Sequence, residues 1–268
     1  MVKVEKERLQ TKKLRIVNLI SQTGSTSLEV IRAQKPGGVL DGLVETVAVV
    51  TSNGKIGGLE RAVEEGFPKN CTHEVSKKSA TFDQDLINFL RIYNPDYVFQ
   101  LGWLPYTPEN VHNAFQFLNM HIGPGGQFMF GERRIYAHMR FCELIGESRP
   151  IPLFCHRVTS GYDKGKTIYA QWEEIYPWET AKEVAKRLYL IEHKVQIHAL
   201  YLLATGQVKE SNAVSIPTSY YEEELLKQAI EDSLEKYPLL KTRTPPPRIE
   251  PFNIQQNNKH NNRHLMSN

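Results

Sequence analysis

The 268 residues carry 33 Lys and Arg against 30 Asp and Glu, a net charge of +3, with 40% hydrophobic and 24% charged residues. That balance excludes a disordered polyelectrolyte and suits a folded chain with one large core. Cys71, Cys142 and Cys155 are too few and too far apart for a disulfide framework. Neither "CTH" at 71–73 nor "CH" at 155–156 has the paired spacing of a zinc site, so no metal is expected.

Basic residues gather at the start, at Lys3, Lys6, Arg8, Lys12, Lys13 and Arg15. Residues 1–13 read as a solvated basic arm rather than a binding element. The arm has no apolar stretch of signal-peptide type, and no run reaches 18 apolar residues. The expectation is a cytoplasmic protein with neither membrane nor nucleic acid as partner.

In chain order, "LRIVNLI" at 14–20 reads as a buried strand, "SQTGSTS" as a polar loop and "LEVIRAQ" as helix. "VETVAVVT" at 44–51 is a second strand, followed by the loop "SNGKIGG" and the short helix "LERAVEEG". A weak strand falls at 73–75. Residues 82–93 have apolar positions 82, 86, 89, 90 and 93, a helical spacing, and Pro95 stops the helix. "DYVFQLG" at 96–102 and "FQFLNMH" at 115–121 are further strands, with a short helix starting at Pro108 between them.

After a glycine loop, 134–145 reads as helix, and 151–159 and 166–175 as two strands joined by "SGYDKG". "TAKE" at 180–183 is a capping box. It opens a long helix whose apolar stripe is Val184, Leu188, Ile191, Val195, Ala199 and Leu202, closed by Gly206. A last helix spans about 220–236, and the Pro- and Asn-rich residues 241–268 read as a disordered tail.

The pattern predicts an α/β fold with a doubly wound, Rossmann-like, mostly parallel sheet, in which one later strand runs antiparallel. Residues 14–210 form its main domain and 211–240 a helical extension.

Ligands of such sheets bind beyond the carboxyl ends of the strands. Four polar features could face that space. The first is the loop with Gly24, Ser25, Thr26 and Ser27, which sits at a helix N-terminus suited to a phosphate. It is neither GxGxxG nor a Walker loop. Asn119 and His121, two apart in a strand, project to one face. Asp163 lies in a Gly-flanked loop. Glu192 borders the apolar stripe of the long helix, where Gln196 could make a weak contact with it.

Together these features resemble the folate-dependent formyltransferases, most closely the phosphoribosylglycinamide formyltransferases. "LISQTGSTSL" is similar to the family's phosphate loop, "TSNGKIGGLERAVEEG" to its S-N and G-L-E-R-A segment, and "IYNPDYVFQLGWL" to its third strand region. Asn119 and His121 match its N-x-H, and "HRVTSGYDKG" matches its catalytic Asp loop at Asp163. Glu192–His193 matches its E-H pair.

The resemblance spans roughly residues 14–207. It implies transfer of a formyl group from 10-formyltetrahydrofolate to the amine of a phosphorylated small molecule, most plausibly glycinamide ribonucleotide, by a monomer or homodimer. It assigns Asn119, His121 and Asp163 to catalysis, with Asp163 favouring the charged imidazole. Residues 24–27 and Glu192 are assigned to the acceptor, and Trp103, Leu104 and Thr159 to the folate.

The departures are a phosphate loop one residue longer, "IGPGGQF" in place of P-S-L-L-P, Ser79 in place of a basic residue (with Lys77 or Lys78 as substitutes), and Pro105 in place of a residue with an N–H. The C-terminal part is too short and helical for the β-barrel of methionyl-tRNA formyltransferases. The competing expectations are another acceptor such as an amino sugar nucleotide, a formyltetrahydrofolate hydrolase, and a non-catalytic folate- or nucleotide-binding protein.

Overall fold

A computed structural model describes residues 12–238 apart from Gln22. Most of the expected basic arm and all of the expected tail lie outside the described residues. Seven strands form one sheet: β1 (Leu14–Ile20), β2 (Val44–Thr51), β3 (Thr72–Glu74), β4 (Tyr97–Gln100), β5 (Phe117–Ile122), β6 (Ile151–Arg157) and β7 (Thr167–Glu173). Their order is β3-β2-β1-β4-β5-β6-β7. Only β6 opposes the others, pairing antiparallel with β5 on one side and β7 on the other.

The order reverses between β1 and β4, and that switch point opens a crevice at the strands' carboxyl ends. The central strands read as near-continuous apolar runs because both faces are covered. On one face, Ile16, Ile20 and Val49 pack against α1 (Ser25–Ala33), α2 (Gly58–Glu64), α5 (Glu132–Ile145) and α6 (Ala181–Ala204). On the other, Val17, Leu19, Val50 and Val98 pack against Phe82, Leu86 and Leu90 of α3 (Phe82–Tyr93) and Val111 of α4 (Glu109–His112).

Helix α7 (Tyr220–Lys236) docks on α5 rather than on the sheet. Ala229 packs with Phe141, Arg140 donates to Asp232 at 2.7 Å, and Arg149 donates to Glu222 at 2.5 Å.

Two sequence expectations shift. Pro108 caps α4 from outside rather than filling its first turn. In α6 the capping box of Thr180 and Glu183 forms, but the buried stripe is Val184, Leu188, Glu192, Val195, Gln196, Ala199 and Leu200. Ile191 and Leu202 are only half-buried. The 3.6-residue period rotates a long stripe, and the buried row here follows the four-residue steps 188, 192, 196 and 200. Two polar residues therefore face inward. The expected contact between them is absent: both amide atoms of Gln196 are buried without a partner.

Candidate active site

Strand β5 delivers Asn119 and His121 to one face, and the β6–β7 loop brings Asp163 onto them. Asp163 Oδ1 lies 3.4 Å from His121 Nδ1, 3.4 Å from Asn119 Nδ2 and 3.3 Å from His156 Nε2. Asp163 holds a left-handed backbone, φ 53°. Such strain in a non-glycine residue clusters at functional sites.

His156 completes the group. The antiparallel register sets it directly opposite Asn119. Its Nδ1–H donates to the Arg157 carbonyl at 2.8 Å, so in the neutral ring Nε2 is an acceptor for the Asn119 amide at 3.3 Å. This contact fixes which way the Asn119 amide points. His156 opens the motif "HRVTSGYDKG", yet no periodicity marked it as a site residue, because only cross-strand pairing puts it beside Asn119.

The glycine loop after β5 braces the same side chains. His121 Nε2–H donates to the Pro124 carbonyl at 3.0 Å, and the Gly126 N–H donates to Asp163 Oδ2 at 3.1 Å. A Cβ on residue 125 would lie 2.7 Å from Asp163 Cβ, closer than two carbons pack. Glycine at 125 is thus a condition of Asp163 reaching His121.

Electrostatics correct one expectation. His121 is buried, and that burial outweighs the nearby Asp163, which alone would favour the charged ring. The imidazole pKa falls to about 4, with Arg134 also lowering it. The resting ring is therefore neutral. A carbonyl only accepts, so its proton sits on Nε2 and the Nδ1 lone pair faces Asp163. Burial pushes Asp163 upward, but the neighbouring His121 and His156 rings and the Gly126 N–H together hold it below the usual carboxylate range.

At the end of β1, Gly24 caps α1 in a left-handed conformation with no side-chain cap bond, and the first turn holds no acid. Its N–H groups form the positive end of a helix open to an anion. Ser25 is half-buried, while Thr26 and Ser27 are buried. Ser27 turns inward and its hydroxyl accepts from the buried Asn18 amide at 3.0 Å, so that side chain belongs to the core and only its backbone is offered outward.

Ser79 lies just before α3 and donates its hydroxyl to Asp85 at 3.0 Å, while Lys77 and Lys78 are exposed.

The residues expected to meet the folate have these surroundings. Trp103 is a core residue stacked on Phe82, with ring centroids 6.3 Å apart. The Leu104 N–H donates to Ser21 Oγ at 2.9 Å and is not free. Thr159 is exposed, and its hydroxyl donates to the Gly161 carbonyl at 3.1 Å. The loops carrying these residues do meet, through the Tyr106 and Tyr162 rings at 5.9 Å.

Glu192 is 7% exposed, and among the described residues its carboxylate has no hydrogen bond or ion pair. Burial raises its pKa, opposed by the positive charge of Arg134, a residue that helical patterning did not single out. His193 is turned away from it, toward Tyr189 and the charge of Glu29 on α1. Among the described residues no group of three or more His, Cys, Asp or Glu is arranged to hold a metal ion, and no helix is long and apolar enough to cross a membrane.

A switch-point crevice with an open helix N-terminus on one side and an Asn–His–Asp cluster on the other defines a group-transfer site on a Rossmann-like sheet. Comparison with known proteins agrees. The formyl transferase family model matches residues 14–200. The phosphoribosylglycinamide formyltransferase of Saccharomyces cerevisiae is 30% identical over 207 residues, covering 70% of this chain and 95% of the yeast protein. The trifunctional purine biosynthetic protein adenosine-3 of Bos taurus is 26% identical over 204 residues, covering 75% of this chain and 19% of that larger protein. The glycinamide ribonucleotide transformylase 1 structure from Symbiobacterium toebii superposes with a TM-score of 0.60 at 23% identity, over 76% of this chain and 95% of that one.

This chain belongs to the formyl transferase family. It is a folate-dependent formyltransferase that takes its formyl group from 10-formyltetrahydrofolate.

Proposed function

We propose that the protein transfers the formyl group of 10-formyltetrahydrofolate to the primary amine of glycinamide ribonucleotide, a step of purine synthesis in the cytoplasm. The convergence of Asn119, His121 and His156 on one oxygen of Asp163, within 3.3–3.4 Å, carries this reading. The yeast relative's name supplies the acceptor.

The amine attacks the formyl carbon and an oxyanion develops, which needs donors already in place. Asn119 Nδ2–H and His121 Nε2–H are those donors. The Asn119 contacts, at 3.3 and 3.4 Å, are long, and the 3.0 Å contact of His121 Nε2–H to the Pro124 carbonyl is exchanged for the oxyanion as the ligand arrives. The nitrogen that attacks must lose a proton, and the folate nitrogen that leaves must gain one. His121 has a free lone pair at Nδ1. Protonation there creates an imidazolium whose Nδ1–H faces the Asp163 carboxylate while its Nε2–H holds the oxyanion. Asp163 thus stabilises the charge that appears during the reaction rather than one present at rest. The acceptor's phosphate would lie on the N–H groups of residues 24–27.

The test is incubation of the protein with 10-formyltetrahydrofolate, with and without glycinamide ribonucleotide, following folate absorbance. Turnover that requires the acceptor is the expected result. Acceptor-independent turnover would mean a hydrolase, and no turnover with either would remove the reading.

A further inference from the structure

Arg133 is buried, 5% exposed, in the first turn of α5, where the helix dipole disfavours a cation. A charge kept there needs partners, and it has them on two sides. Its Nη1–H donates to the Phe128 carbonyl at 2.7 Å. Its Nε–H donates to the Tyr237 carbonyl at 2.9 Å, and its Nη2–H donates to the same oxygen. Tyr237 is the cap residue at the negative end of α7, a helix terminus that suits a cation. The guanidinium also lies over the Phe130 ring, 4.9 Å from its centroid. One side chain thus joins the end of α7 to the loop between β5 and α5.

That loop is the one that braces the Asn–His–Asp cluster. It leaves β5 at Gly123, where a Cβ would lie 3.1 Å from the Arg134 carbonyl, and it re-enters the same first turn of α5 after Gly131. Its first half, 124–126, bonds His121 and Asp163. Its second half, 128–130, meets Arg133. The Met129 N–H donates to the Gly126 carbonyl at 3.1 Å and ties the halves together. Phe128 holds a left-handed backbone, φ 71°, which an aromatic residue keeps only where its surroundings impose it. The Arg133 bond to its carbonyl is such a constraint.

Helix α7 lies beyond residues 14–200, the part of the chain that the family model matches. It is seated on α5 by Ala229 against Phe141, by Arg140 on Asp232 and by Arg149 on Glu222. At its far end the Tyr237 ring meets Tyr136 of α5, with centroids 5.7 Å apart. These contacts deliver the Tyr237 carbonyl to Arg133.

We propose that Arg133 is a positioning residue for formyl transfer: anchored by the end of α7, it fixes the 123–130 loop, and through that loop the tautomer of His121 and the reach of Asp163. The C-terminal helix is then a support of the active site rather than a surface addition. A reacting group is held to within a fraction of an ångström by such supporting bonds, and small displacements cost rate rather than affinity. The inference rests on the reading of His121 and Asp163 as catalytic, and adds to it the element that holds them.

The experiment uses the full chain and two readouts. Steady-state formyl transfer to glycinamide ribonucleotide separates kcat from KM. Nitrogen NMR of the histidine rings, with the His121 signal assigned by its loss in His121→Asn, reports the ring tautomer without turnover. The wild type should show a single Nε2–H tautomer at His121. Arg133→Gln is expected to lower kcat at least about tenfold, to change KM less than about threefold, and to turn the His121 signal into a mixture of tautomers. Arg133→Lys, which keeps the charge but cannot bond both carbonyls in the same way, should fall between the two. Glu222→Gln combined with Asp232→Asn loosens α7 without touching Arg133, and should lower kcat about threefold with the same change at His121.

A kcat within twofold of wild type in Arg133→Gln overturns the proposal, even if the urea midpoint drops, because Arg133 then only stabilises the fold. So does a fall in kcat with the His121 signal unchanged, or a loss carried by KM instead. If Arg133→Gln does not fold, Arg133→Lys and the α7 double variant decide, and wild-type kcat and His121 signal in both overturn the proposal. A wild type that transfers nothing removes the catalytic reading, and the His121 signal then judges the Arg133 brace alone. A wild type whose His121 ring is not held in one tautomer overturns the brace whatever its activity.

Discussion

At the end of β1, residues 24–27 turn N–H groups outward from an uncapped helix start, whereas at the end of β5, residues 123–126 turn their polar groups onto side chains of the same chain. The first holds one glycine and the second three, and both follow a central strand. The first leaves its donors unsatisfied and so suits a ligand that arrives. The second satisfies His121 and Asp163 and so fixes their geometry before any ligand arrives. Glycine in a loop is thus not one signal. In the second loop it answers a close approach, and the residue it admits is Asp163 of the proposed catalytic cluster.

The sharpest way to break this contrast is to remove what the second loop braces. His121→Ala and Asp163→Asn should each lower kcat at least about a hundredfold, since an oxyanion donor or its counter-charge is worth about 3 kcal/mol of barrier. Near-normal turnover in both would show that the loop braces nothing that matters.

Gly125→Ala tests the brace itself. The added methyl meets Asp163 Cβ at 2.7 Å, so Asp163 must retreat from His121, and kcat should fall about tenfold or more while the fold persists. The same change at Gly57, where a Cβ meets no atom but the backbone is left-handed at φ 73°, should cost stability while leaving kcat within about twofold.

His156→Gln should have a smaller effect, several-fold in kcat, because Gln can still present an acceptor near Asn119 but loses the fixed geometry set by the Arg157 carbonyl.

The mildest test is of stability against pH. His121 is held near 4 when folded and returns to about 6.5 when unfolded. Above that range neither state binds the proton. Between 6.5 and 4 the unfolded chain binds it and the folded chain does not, so stability falls as pH falls. Urea midpoints of the wild type should therefore drop over this window more steeply than those of His121→Asn, which lacks the group. Equal slopes would place the ring in water rather than in the brace.

How far these contrasts were legible beforehand differs by residue. The strands, the capping box at Thr180 and the single antiparallel strand follow from local periodicity and hydrogen-bond chemistry within a few residues. The Asn119 and His121 pairing also follows, because a strand's period is two. The surroundings of Trp103 and Leu104 cannot be read locally, because packing against Phe82 and a hydrogen bond to Ser21, 83 residues away, set them. At Ser27, no local pattern shows that Asn18 across the strand–helix layer claims its hydroxyl and leaves only its backbone for a ligand.

By itself the sequence determined the alternation of strands and helices, the glycine loops and the identity of the Asn–His–Asp set, since each depends on neighbours within one element or on a recognisable spacing. Only the tertiary structure decided that His121 is neutral at rest, that His156 orients Asn119, and that Glu192 is buried without a bonded partner among the described residues. Burial and charge depend on which distant residues surround a group. A desolvation penalty large enough to outweigh an adjacent carboxylate exists only once the chain has closed around the ring.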